Sequence, residues 1–209
     1  MQTSLKTARN EYQKGLCDLE HGDFGRARKH LEKAVAEHPC YARAHTVLGV
    51  ALSMSGQFET AESAFAKSIT CDGGFVEAYI QRAVVLNAQN KYPDCEAAIR
   101  QGLRRFPNEW QLHYQLGIAK DGAGDYSGAE QALLKAQSIN PEVPPEFHLR
   151  IADVYPNSQN YEKAHAEMAE YLRADPHGSY AEPTRKIMRR METSGMVPNA
   201  PGKKDSKKP

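Results

Sequence analysis

No stretch of this 209-residue chain is apolar for long enough to cross a membrane, and the opening residues MQTSLKT lack the apolar run of a secretory signal. A soluble, cytoplasmic chain is therefore expected, or a periplasmic or envelope-associated one if the chain is a fragment lacking its signal. Aromatic residues make up only 8% of the chain against 40% hydrophobic, which suits many small helix–helix contacts better than one large core. Cys17, Cys40, Cys71 and Cys95 are spaced too widely for a CxxC or zinc pattern, and a chain of this size folds without disulfide staples. All four are expected to be packing thiols. The net charge is only +1, and it is unevenly placed. From Arg185 onward there are eight Lys or Arg against Glu192 and Asp205, a balance of +6 that leaves −5 for residues 1–184. A mildly acidic body lacks the clustered Lys and Arg that phosphate contacts need, so nucleic acid is excluded as its partner. GxSxG, HExxH and P-loop motifs are missing, and Gly122-x-Gly124 follows no strand. Neither an enzyme nor a cofactor site is expected.

What the chain does have is a period. Residues 110–143 carry apolar residues at helical spacing (Leu112, Leu116, Ala119), then a break at Gly122, Gly124 and Asp125. A second amphipathic run follows (Ala129, Leu133, Ala136) and ends near Pro141. That predicts a helix, a tight turn and a helix. The same markers recur every 34 residues, stretched once to 35 by the insertion before Pro145. A small residue stands in each first helix (Gly15, Gly49, Ala83, Gly117, Ala152), and an aromatic opens each second one (Phe24, Phe58, Tyr92, Tyr126, Tyr161). A second small residue follows it (Ala27, Ala61, Cys95, Ala129, Ala164), and a terminator closes the unit (Pro39, Gly73, Pro107, Pro141, Pro176).

This small–aromatic–small–proline pattern and its period resemble the tetratricopeptide repeat family over residues 8–178. The resemblance implies an all-α, right-handed α-solenoid of five helix-turn-helix repeats, at 8–41, 42–75, 76–109, 110–143 and 145–178, preceded by a leader at 1–7. Gly22-Asp23 reads as turn and cap, Asn90 as the third turn, and Gly73-Gly74 as a left-handed helix stop. Pro156 predicts an early end to the fifth first-helix and a longer loop. Residues 179–193, opening on a Ser179 to Glu182 capping box and carrying the Ile187, Met188 and Met191 stripe, read as a capping helix. Residues 194–209 read as a disordered basic tail with no apolar face to dock. Its lysines, Lys203, Lys204, Lys207 and Lys208, either solubilise the chain or touch an acidic partner.

Three histidines, His45, His113 and His148, share one repeat position where the family often places an aromatic. Packed helices lie roughly 8–10 Å apart and zinc ligands about 2 Å from their ion, so equal positions in different repeats cannot share a metal. They are expected to be half-buried rings, and His30 with His38 lacks a third ligand.

In the family the first helices line a concave groove. Carried over residue by residue, repeat one supplies Arg9, Tyr12, Gln13, Leu16 and Leu19, and repeat two Arg43, Thr46, Val47, Val50 and Met54. Repeat three supplies Glu77, Ile80, Gln81, Val84 and Asn87, repeat four Gln111, Tyr114, Gln115 and Ile118, and repeat five Glu146, Leu149, Arg150 and Asp153. Val50, Val84 and Ile118 fit the groove and the interhelical core equally well. The subtype that clamps the Hsp70 or Hsp90 carboxylate tail is excluded, because its Lys, Asn and Arg positions hold Tyr12, Leu16, Val47, Glu77 and Gln81. The resemblance thus implies a scaffold that holds a segment of another protein in the groove. Two alternatives stay open: an assembly factor of a bacterial envelope, pilus or secretion complex, and a regulatory part of a larger enzyme.

Overall fold

The computed structural model describes residues 2–155 and 160–197, and among these it contains helices and no strand. Eleven helices follow one another: α1 Gln2–Glu20, α2 Phe24–Glu37, α3 Ala42–Met54, α4 Phe58–Cys71, α5 Val76–Ala88 and α6 Tyr92–Leu103. The series continues with α7 Trp110–Gly122, α8 Tyr126–Ile139, α9 Pro145–Val154, α10 Tyr161–Ala174 and α11 Ala181–Thr193. The first ten pair into five hairpins, and each second helix packs on the first helix of the next pair. The expected all-α solenoid is what the chain forms.

Turn chemistry sets each hairpin. Gly22, Gly56, Asn90 and Gly124 stand at the 34-residue step after successive first helices, and all four have positive φ, from 57° to 81°. Nothing lies within 4 Å of where a Cβ would stand at Gly22, Gly56 or Gly124, so backbone conformation rather than space selects glycine. Asn90 occupies the same conformation without being glycine, and its Oδ1 accepts a hydrogen bond from the Tyr92 hydroxyl at 2.7 Å. Asp23 and Asp125 then cap α2 and α8, each accepting a backbone N–H at 2.9 Å, from Arg26 and Gly128.

The small residues of the first helices mark close approach. A Cβ at Gly49 would stand 2.5 Å from Phe65, and one at Gly117 would stand 2.5 Å from Leu133, so these residues let two helices meet across a bulky side chain. The second small position, Ala27, Ala61, Cys95, Ala129 and Ala164, is wholly buried in every repeat. At Cys95 burial pushes the thiol up to about 12, and its Sγ lies 3.4 Å from the Ala83 carbonyl, so it serves as a packing residue.

Several local expectations are corrected. Residues 2–7 are no separate leader: α1 begins at Gln2, Ser4 Oγ donates to the Glu37 carbonyl at 2.6 Å, and Ala8 is buried. Cys40 and Cys71 are not packing thiols but a disulfide, because one repeat step of the solenoid brings the loop after α2 within 5.1 Å (Cα–Cα) of the end of α4. Neither Gly73 nor Gly74 takes the left-handed conformation. A Cβ at Gly73 would stand 2.7 Å from the Arg105 guanidinium, so the glycine makes room for a side chain instead. The capping box at Ser179 does not form; Tyr180 is the N-cap without a side-chain bond, and its carbonyl accepts from Thr184 Oγ1 at 2.7 Å. The tail is ordered further than expected: Val197 is 5% exposed and joins Met191 in the cluster built from α8, α9 and α10. The loop predicted after Pro156 and the rest of the tail lie outside the described residues.

Candidate partner-binding groove

First helices touch first helices, α1 with α3, α3 with α5 and α5 with α7, and the second helices do not come as close. A stack that is tighter on one side curves toward it, so the first helices line the inner surface.

Most of the residues expected there are partly accessible. Tyr12, Leu16, Val47, Val50, Gln81, Tyr114, Gln115, Ile118 and Leu149 are half-buried, and Arg43 is exposed. Met54 is 60% exposed and Val84 38%, the most open apolar side chains of the set. Ile80 is the exception at 7% exposure, packed with Tyr79, Ala83 and Ile99, and Thr46 is also buried, its hydroxyl 2.8 Å from Ser68 Oγ. Ile80 therefore belongs to the core that holds α5, and substituting it would test folding before binding. Several polar positions are tied down: Gln81 Nε2 donates to Glu77 at 2.6 Å, and Asn87 Nδ2 donates to Gln115 Oε1 at 2.9 Å.

The histidine row has a structural role that its spacing concealed. His45 Nε2 lies 2.8 Å from the Pro39 carbonyl and His113 Nε2 2.9 Å from that of Pro107, while Tyr79 donates its hydroxyl to Gly73 at 3.3 Å. In repeats two, three and four one side chain thus ties a first helix to the terminator before it. Burial lowers the His45 pKa, and the neutral ring donates that bond. His148 departs from the row and meets Glu167 at 2.7 Å.

A cavity lies at each end of the array. The first, about 360 Å³, is lined by Leu5, Lys6, Ala8, Arg9, His38 and Tyr41. Tyr41 packs against Tyr12 with the rings tilted by 44° and a centroid distance of 5.1 Å. The second, about 440 Å³, lies between α7, α9 and α11 and is lined by apolar Tyr114, Leu149, Met168 and Ile187, together with Glu146 and Asp153. Tyr114 is held there by stacking on Phe147 at 5.0 Å. No helix among the described residues is long and apolar enough to cross a membrane, and no group of three metal-binding side chains occurs among them.

The tetratricopeptide repeat profile matches residues 12–74 and 80–144, most of the array. The chain belongs to the tetratricopeptide repeat family. No curated protein matches the sequence. Among solved structures it is similar to MamA of Desulfovibrio magneticus RS-1, from residue 41 to the end, at 17% identity and a TM-score of 0.72, covering 83% of this chain and 97% of that one. It is also similar to PilF of Pseudomonas aeruginosa at 16% identity and a TM-score of 0.73, with 95% of each chain covered. YrrB, described as a tetratricopeptide repeat protein with an unusual peptide-binding site, matches at 15% identity and a TM-score of 0.64, over 84% of this chain and 90% of that one. At these identities the likeness is one of fold. Tetratricopeptide repeats typically act as protein-interaction scaffolds and are in general not catalytic.

Two parts of the candidate groove were not legible in the repeat pattern. Ile187, expected to pack under a cap, is 45% exposed, and Tyr180 beside it is 55% exposed; both line the second cavity. The first cavity draws on Lys6, before the first repeat marker, and on His38 and Tyr41 in the connection from α2 to α3. Periodicity carries no signal for either, because both sites are made where the period stops.

Proposed function

We propose that the inner surface of the array binds an extended segment of a partner protein. The observation that carries this reading is the row of equivalent inner positions Leu16, Val50, Val84 and Ile118, an apolar strip with none of the four buried and with Met54 beside it 60% exposed. Apolar side chains that recur at one helix face and stay accessible over four successive repeats form a continuous patch, which supports an interaction surface where a single exposed residue such as Leu134 does not. The peptide-binding site named for YrrB supports the reading by analogy of fold. The test is a photo-crosslinking residue placed at Met54 or Val84, and at exposed Lys135 or Arg100 on second helices as outer-face controls, in the native cell. Adducts from the inner positions alone are expected. Adducts from the outer positions alone would move the binding surface.

A second reading, an assembly factor of a bacterial envelope complex, is favoured by the Cys40–Cys71 disulfide. Disulfides persist in oxidising compartments such as the periplasm and are rare where thiols are kept reduced. Mass spectrometry of chain isolated under thiol-blocking conditions tests it: two alkylated thiols at these positions would remove its support.

A further inference from the structure

The C-terminal end of the array carries a face that the repeat fold does not use. α11 packs on α10 and buries Ala181, Thr184 and Met191, which leaves its other side to solvent. Lys186, Arg189 and Arg190 stand on that side, all exposed, with Arg189 and Arg190 three and four residues beyond Lys186 and so next to it on the helix surface. None of the three forms an ion pair among the described residues. Both glutamates of the same helix are engaged elsewhere, Glu182 with Arg185 and Glu192 with His165 at 3.0 Å. Glu146 and Asp153, with Arg150, line the second cavity from the α9 side.

Apolar side chains lie open beside these cations. Ile187 is 45% exposed, Tyr180 two turns before it is 55% exposed, and Met196 just past the helix is 50% exposed. Seven large hydrophobic side chains are exposed among the described residues, and three of them fall between Tyr180 and Met196, a concentration that packing of the array does not require. The turn that ends α11 sets the last of them. Gly195 takes the left-handed conformation, with φ at 71°, and the Met196 N–H donates to the Met191 carbonyl at 3.0 Å. Val197 enters the core beyond that turn while Met196 stays outside. Burial of Val197 also ties the start of residues 198–209 to this end of the array. Those residues add Lys203, Lys204, Lys207 and Lys208 against Asp205 alone, and at about 3.5 Å per residue Lys203 lies no more than about 21 Å along the chain from Val197.

A polyanion without apolar character would meet the cations and gain nothing from Tyr180, Ile187 and Met196. A purely apolar partner would gain nothing from the cations. The surface of an anionic bilayer uses both, because its headgroups meet Lys and Arg while apolar side chains enter the boundary beneath them. The three cations of α11 do not line the second cavity, so they stand on open helix surface, which fits a laterally extended partner better than one acidic side chain. We infer that the exposed face of α11, with the turn that follows it, docks on an anionic lipid surface. Long Lys and Arg stems suit that place, since the charges stay at the headgroups while the methylenes lie along apolar surface. The docking face is separate from the inner groove and leaves it open to a protein segment.

Vesicle co-sedimentation of the full chain tests this, with vesicles of phosphatidylcholine alone and of phosphatidylcholine mixed with phosphatidylglycerol. Binding to the anionic vesicles should be at least about tenfold tighter than to the neutral ones at low salt, and should fall as salt is raised. Each basic residue near such a surface contributes about a fivefold gain, so Lys186→Gln/Arg189→Gln/Arg190→Gln should weaken binding at least about tenfold. Ile187→Ser/Met196→Ser should weaken it about threefold or more, an effect that a soluble polyanion would not show. Anionic vesicles bound no more tightly than neutral ones would overturn the inference. Unchanged binding in the triple variant would overturn it too, as would a loss seen only when Lys203, Lys204, Lys207 and Lys208 are replaced by Gln. Tighter binding of a dye-labelled Glu/Leu peptide than of the vesicles, lost in the triple variant, would assign the face to an acidic protein instead. The substituted positions of α11 and its turn are exposed, and circular dichroism of each variant confirms that the fold is retained.

Discussion

A histidine and a glutamate exchange places between the two ends of the array. In repeat one Glu11 on the first helix meets His30 on the second at 2.7 Å, and in repeat five His148 on the first helix meets Glu167 on the second, also at 2.7 Å, at the equivalent positions. The middle repeats place His45, Tyr79 and His113 opposite Ala64, Ala98 and Ala132 and turn the ring to the preceding carbonyl instead. The same slot thus holds a histidine–glutamate contact at the ends and a backbone tie in the interior. Lys14 and then His30, hydrogen-bonded to Glu11, hold its carboxyl down at about 2 against an ordinary 4.5. A depressed acid stabilises the fold above its unfolded value, and that stability is lost as pH falls from about 4.5 through about 2. The melting temperature lost in Glu11→Gln should therefore be larger at about pH 6 than at about pH 3, and an equal loss at both would show that the pair is not what stabilises the end repeat. The disulfide gives a second prediction at this scale. Cys40→Ser/Cys71→Ser should lower stability by about 2–4 kcal/mol in thermal melts, because it frees the unfolded chain across a separation of 31 residues. A reducing agent should reproduce the effect in the native chain and leave the double variant unchanged.

Between elements, stability rests on small residues that admit large ones. Ala129 is wholly buried beside Leu133 and Ala152, so Ala129→Leu should overpack the fourth hairpin, cost roughly 1–3 kcal/mol, and lower the melting of its neighbours with it. An unchanged melting curve would mean that this contact is not tight. At the C-terminal end α11 is more than a solvated lid. Thr184 and Met191 are buried, Arg185 reaches the Pro176 carbonyl at 2.6 Å, and Val197 folds back into the same cluster. Cutting the chain after Thr193 removes Val197 from this cluster, and a loss on the order of 1–2 kcal/mol is expected for one buried valine. Differential scanning calorimetry of the shortened chain decides it, since an unaltered transition would place Val197 outside the cooperative unit.

As a whole molecule the chain is a row of like units, each stable only against its neighbours, with an inner face that we propose receives a partner. Met54→Glu/Val84→Glu should preserve helicity and melting within about 0.5 kcal/mol, because both side chains are open to solvent, while reducing capture of a groove ligand by tenfold or so. Helicity lost in that variant would instead assign the strip to the core. The helices, their number and their order were legible in the sequence, because each repeat restates the same local chemistry: a small residue where helices cross, glycine or asparagine where φ is positive, a terminator after the second helix. Repetition lets weak propensities add, so five copies make a firm reading of what one would leave open. Most inner positions were legible for the same reason, since a helix face is a matter of register. Ile80 and Val84 show where register stops: four residues apart on one helix, one is 7% exposed and the other 38%. That difference depends on how far neighbouring helices overlap, a property of the superhelix and not of the repeat. The sequence alone therefore determined the repeat, its turns and the family. The tertiary structure decided the Cys40–Cys71 bond, the two end cavities and the return of Val197, because each joins residues from different repeats or from beyond the last one, whose distances are set by stacking rather than by spacing along the chain.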